Sequence, residues 1–131
     1  MDFLIRAKEF IESNLDLYSN VALGLLLDGD SIAIRPTPST PPLRYLEKSK
    51  VTTYQFQILT KHQVGYTAYQ ELEKINDLLD GLENGAITSS DSSFILNKCE
   101  VYTSPNFVEK TEGGEQIYTA IYQAELYIRE E

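Results

Sequence analysis

Two stretches of regular alternation limit what this chain can become. From Val51 to Lys61, Tyr54, Phe56 and Ile58 fall on one parity, with Thr53, Gln55 and Gln57 on the other. From Gln116 to Arg129, Tyr118, Ala120, Tyr122, Ala124, Leu126 and Ile128 alternate with Thr119, Gln123, Glu125 and Arg129. Side chains along a strand point to opposite faces with period two, so each segment has one face to bury and one to leave wet. Strands of this kind need partners beside them and a layer over the apolar face. A largely antiparallel sheet with one open side is the expected frame.

The covering layer is legible in two segments of helical period. Residues 2 to about 13 place Phe3, Leu4, Ala7, Phe10 and Ile11 at three- and four-residue steps, with Asp2 positioned to cap the start. Thr67-Ala-Tyr-Gln70 fits a capping box ahead of a second helix, whose seam is Ala68, Leu72, Ile75, Leu79 and Leu82, ending at Gly81 or Gly85. Val21–Leu27 and Ser31–Arg35 flank Asp28-Gly29-Asp30 and predict a hairpin. Phe94–Thr103 predicts a strand with Ile95, Cys99 and Val101 opposite Phe94, Leu96 and Tyr102, broken by Ser104-Pro105-Asn106. Pro36, Pro38, Pro41 and Pro42 remove too many amide donors for a ladder or helix, so residues 36–50 are expected to form an extended arm or loop. The result is an α+β fold in the order α-β-β-β-α-β-β: about five strands with two helices packed on one face. At 131 residues, 1–131 reads as a single domain.

Charge sharpens the picture. Twenty acids against 11 bases give a net charge of −9. Arg35, Arg44, Lys48, Lys50 and Lys61 face only Glu47 between residues 35 and 61, a local +4 that leaves −13 on the rest. One reading is a solvated strand and loop. The other is a self-complementary molecule whose basic segment meets an acidic surface on a neighbouring copy, a head-to-tail contact that builds rings or filaments. These bases are too few for a single-strand nucleic-acid groove, and no sequence-specific nucleic-acid binding is expected. MDFLIRAKEF lacks the basic start and long apolar run of a signal peptide, and the apolar run Val21–Leu27 is far short of a membrane span, so no membrane partner is expected and the chain reads as intracellular or assembled inside a cell.

Little here carries catalysis. The chain has one histidine, His62, and one cysteine, Cys99. Asp28-Gly29-Asp30 lacks the remaining ligands of a calcium loop, and Gly113-Gly114 lacks a phosphate-loop frame and is flanked by Glu112 and Glu115. No enzyme, cofactor or metal is expected, although a dyad of Cys99 with His62 stays open at this level. Nine tyrosines suit half-buried sheet faces and interfaces. Tyr45, with Leu43 and Leu46 in Pro-Pro-Leu-Arg-Tyr-Leu, reads as a short sticky segment that could dock onto another subunit.

Ile34-Arg-Pro-Thr-Pro, the proline loop with Arg44-Tyr45, the strand Thr53-Tyr-Gln-Phe-Gln-Ile-Leu-Thr-Lys61, and the final strands with Val101-Tyr-Thr-Ser-Pro105 resemble the minor capsid or tail terminator proteins of long-tailed bacteriophages. The resemblance extends over nearly the whole chain and implies a fold like the lambda-type tail terminators. It implies a virion structural protein of the tail or neck, present in the host cytoplasm during assembly. Such a protein acts as a hexameric ring of itself on the tail tube protein, stops tube growth and offers head–tail connector proteins a joining surface. It supplies no catalytic residues. The interface residues expected are Arg35, Leu43, Arg44, Tyr45, Lys48 and Lys50. The alternative from another class is a small non-enzymatic α+β binding or regulatory module recognising a peptide or small ligand.

Overall fold

A computed structural model describes residues 2–37 and 49–129, with the backbone alone described at Ser49, Lys50 and Arg129. The elements run α1 (Phe3–Asn14), β1 (Val21–Leu23), β2 (Ser31–Pro36), β3 (Ser49–His62), α2 (Gly65–Leu79), β4 (Phe94–Lys110) and β5 (Gln116–Arg129). They form a mixed five-stranded sheet in the order β1-β2-β3-β5-β4.

The two alternating segments lie at its centre. β3 and β5 pair antiparallel with Tyr54 opposite Ala124, Phe56 opposite Tyr122 and Ile58 opposite Ala120. This register puts the apolar parity of both strands on the same face, where a slip of one residue would separate them. Both helices cover that face. Phe3, Ala7 and Ile11 of α1 and Leu72, Ile75 and Leu79 of α2 are fully buried in one cluster with Ile32, Ile34, Phe56, Ile58 and Tyr122, and Ala68 of α2 is fully buried as well. The Phe3 ring meets Tyr54, Phe56 and Phe94 edge-on at centroid distances of 5.2, 5.6 and 5.3 Å. Each large buried side chain of this set contributes about 1.5–3 kcal/mol over an exposed one.

The segment around Asp28-Gly29 is not a hairpin. β1 runs parallel to β2, with Val21 opposite Ile32 and Leu23 opposite Ile34. The connection 24–30 doubles back through Gly24 (φ +96°) and Gly29 (φ +74°), conformations that cost a residue with a Cβ more than glycine. The α1 side chain of Glu12 fixes the start of β1 by accepting the Val21 amide proton at 2.8 Å.

Neither expected N-terminal cap forms. The Asp2 side chain makes no capping bond to α1. α2 starts at Gly65, two residues before Thr67, with Val64 at its N-cap and no side-chain cap. His62 Nδ1 instead accepts the Val64 amide proton at 2.9 Å, so the local turn at the end of β3 sets the start of α2.

β4 does not stop at Ser104-Pro105-Asn106; it continues to Lys110. It is an edge strand, where a missing amide donor can face away from the ladder. The extra length is absorbed as register shifts between Val101 and Thr103, Thr103 and Asn106, and Phe107 and Glu109. A further shift between Leu96 and Lys98 exchanges the two faces. Phe94, Leu96 and Cys99 therefore face the core together, and Ile95 and Tyr102 are exposed, a different grouping from strict alternation.

Candidate interaction surface

The root of the proline segment is fastened to the open face of the sheet. Arg35 lies opposite Gln57, and its Nε donates to Gln57 Oε1 at 2.8 Å. Gln57 Nε2 donates to Thr119 Oγ1 at 2.7 Å, and Thr119 Oγ1 donates to the Ile58 carbonyl at 2.9 Å. A polar chain thus crosses β2, β3 and β5. Two residues on, the Thr37 amide and hydroxyl donate to the Gln55 carbonyl (3.1 Å) and Oε1 (2.8 Å).

Of the expected interface residues, Arg35 is held in this chain and Lys50 enters β3 opposite Ile128. Leu43, Arg44, Tyr45 and Lys48 lie outside the described residues. Next to Lys50, Val51 and Ile95 stand on either side of Tyr127 in one cross-strand row, 48% and 44% exposed. Sequence alternation conceals this apolar row, because the shift after Leu96 reverses which side Cys99 and Val101 share with Ile95.

The outer edge of β4 divides into two halves. Gly81 and Leu82 amides donate to the Cys99 carbonyl at 2.8 and 3.2 Å, the Cys99 amide donates to Leu82 at 3.4 Å, and Gly85 donates to Leu96 at 2.9 Å. Asp80 Oδ1 accepts the Val101 amide proton at 2.9 Å. Residues 80–85 therefore cover the edge as far as Val101. Among the described residues no other segment pairs with the edge from Tyr102 to Lys110, where Tyr102, Phe107 and Val108 are 62%, 51% and 46% exposed.

The one thiol and one imidazole are not brought together. Cys99 pairs with Ala124 and His62 with Gln116, eight residues apart on β5, a separation of about 27 Å at ~3.4 Å per residue. Cys99 is fully buried, and burial, followed by the Asp80 and Glu100 carboxylates, pushes its thiol up to about 12. A thiol in that setting is a poor nucleophile. His62 serves the turn: Nδ1 accepts from Val64, leaving Nε2 to meet Asp30 Oδ2 at 3.2 Å, and its ring packs edge-on against Tyr18 at 4.9 Å. Asp30 Oδ1 also accepts the Gln63 amide proton at 3.0 Å. Among the described residues no group of three or more histidine, cysteine or carboxylate side chains could hold a metal ion. No helix there is long and apolar enough to cross a membrane.

An Arg35 held in a polar chain, a half-covered sheet edge and exposed apolar side chains are the equipment of a protein that works by contact. The family of such proteins follows from comparison: residues 26–128 match the model of the bacteriophage tail terminator proteins, and the chain belongs to that family. It is a phage tail structural protein, which places it in the virion among other tail and head components. Curated proteins offer no match to it.

Proposed function

We propose that this chain, acting as one domain over 1–131, is the terminator that caps the tail tube as a hexameric ring. In that role it halts tube growth and presents a joining surface to the head–tail connector. Copies meet head to tail through Arg35, Leu43, Arg44, Tyr45, Lys48 and Lys50, in the host cytoplasm during assembly. The observation that carries the reading is the separation of charge: +4 between residues 35 and 61 and −13 elsewhere, with the basic limb rooted through Arg35 on the open face. A head-to-tail contact needs two different complementary surfaces on one molecule, and charge opposition both steers and registers them.

Electron microscopy of tails tests the reading. Loss of the gene should give tails of uncontrolled length, and tails of normal length would overturn it. Neutralising Arg44, Lys48 and Lys50 together should weaken ring formation or tube binding with an unchanged circular dichroism spectrum. A stable monomer that ignores tail tubes but retains a peptide or small ligand would support the alternative binding module instead.

A further inference from the structure

We propose that the uncovered half of β4, Tyr102 to Lys110, is the surface on which the basic segment of a second copy docks, adding a strand to the sheet edge. This rests on the ring reading above and supplies its missing half, the acidic surface that receives the arm.

Three observations converge on that edge. First, the cover supplied by residues 80–85 ends at Val101, and among the described residues nothing pairs with the edge beyond it. An uncovered edge offers unpaired N–H and C=O groups to an extended partner. Second, three large apolar side chains, Tyr102, Phe107 and Val108, stand exposed along it. Phe107 is already braced edge-on against Tyr118 at 5.5 Å, which gives an incoming side chain a firm platform. Third, Glu109 and Glu112 stand exposed at the far end of this half, with Lys110 between them, while Glu115 is engaged by Lys61 at 3.8 Å.

The occupant follows from chemistry. An acidic, apolar sheet edge suits a basic, apolar segment with amides free to join a ladder, and the sequence contains one. Leu43-Arg-Tyr-Leu-Glu-Lys48 has no proline, so every residue can donate to a ladder, and it is preceded by four prolines that disfavour a helix. Its Leu43 and Tyr45 share one strand parity and Arg44 and Lys48 the other. One parity answers the exposed aromatic platform and the other the glutamates. The contact is heterologous, since the arm and β4 are different parts of the molecule, and therefore suits a closed ring.

The test is charge exchange in the full chain. Glu109→Lys with Glu112→Lys, and separately Arg44→Glu with Lys48→Glu, are compared by sedimentation velocity over a range of concentrations, with tail tubes added in a parallel series. Each pair alone should lower assembly by about tenfold or more, and combining them in one chain should restore it substantially. Circular dichroism should be unchanged, because Glu109 and Glu112 are exposed. Hydrogen exchange should slow at Tyr102–Lys110 on assembly of the unaltered chain. If the arm pair disrupts assembly but the β4 pair does not, or the combination fails to restore it, the docking site is wrong and the ring reading stands. If the chain stays monomeric throughout, with and without tubes, both fall.

Discussion

Asp2 and Ser90 join the start of α1 to the loop before β4 across 88 residues of sequence: Asp2 Oδ2 accepts the Ser90 amide proton at 2.9 Å and the Ser90 hydroxyl proton at 2.6 Å. Asp2 Oδ1 accepts from the Ser89 hydroxyl at 2.7 Å. The residue expected to cap α1 instead ties its start to the serine loop before β4. These bonds, the Ser90 hydroxyl first, hold the Asp2 carboxyl well below the ordinary carboxylate range. A depressed folded-state value contributes stability that is complete above about pH 4 and lost as pH falls further. Asp2→Ala should cost about 1–2 kcal/mol at neutral pH. It should also flatten the acid limb of a stability profile from urea titrations between pH 6 and 2. An unchanged acid limb would show that the loop is held by other contacts, such as Arg6 Nε donating to the Thr88 carbonyl at 2.6 Å.

Tyr122 supplies a second long-range tie, donating its hydroxyl proton to Asn76 Oδ1 at 2.9 Å from a fully buried ring. The bond joins β5 to α2 at the part-buried margin of the core, where leaving a polar atom unpaired carries a cost. Tyr122→Phe should cost about 1 kcal/mol, and Asn76→Ala a similar amount. A double-mutant cycle by chemical denaturation should show the two losses overlapping. Strict additivity would mean that the bond carries no coupling energy.

Cys99 gives a direct reading of core integrity. Its thiol, pushed up to about 12 and fully buried, should resist a thiol reagent at pH 7–8 in the folded protein. Labelling should appear in step with unfolding as urea is raised. Rapid labelling without denaturant would show that the bridge between Leu82 and Cys99 opens locally and would reopen a reactive role for the thiol.

Where a side-chain pattern repeats, its element was readable in the sequence. β5 spans Gln116–Arg129 as its alternation predicts, and α1 starts and stops within a residue of its apolar period. What the sequence concealed depends on distant partners. Asp28-Gly29 is good hairpin chemistry, yet the direction of β1 depends on β2 beside it and Glu12 behind it. Pro105 reads as a break because propensity is local, and it is tolerated because β4 has a free side there. Of the candidate surface, the position of Arg35 on a strand was legible. The uncovered edge of β4 was not, since the boundary at Val101 is set by Asp80, which sequence does not place there.

The same limit yields a counterintuitive prediction about a deletion inside a strand. Leu96 pairs with Leu126 and Lys98 with Glu125, so Asn97 is the surplus residue between two consecutive partners on β5. The surplus lets Leu96 and Cys99 both face the core at a spacing of three, where a regular strand would put them on opposite sides. Removing Asn97 leaves Leu96 and Cys99 two positions apart, and the facing of both is kept. Removing Glu100 instead takes out a residue matched to Gln123 and would turn Val101 away from its position opposite Tyr122. The Asn97 deletion should remain folded at a cost of about 1–3 kcal/mol, reflecting lost twist and a strained Gly85–Leu96 bond. The Glu100 deletion should lose cooperative unfolding. Circular dichroism with urea denaturation separates them, and equal damage from both would mean that twist at the bulge, rather than residue parity, holds β4 in register.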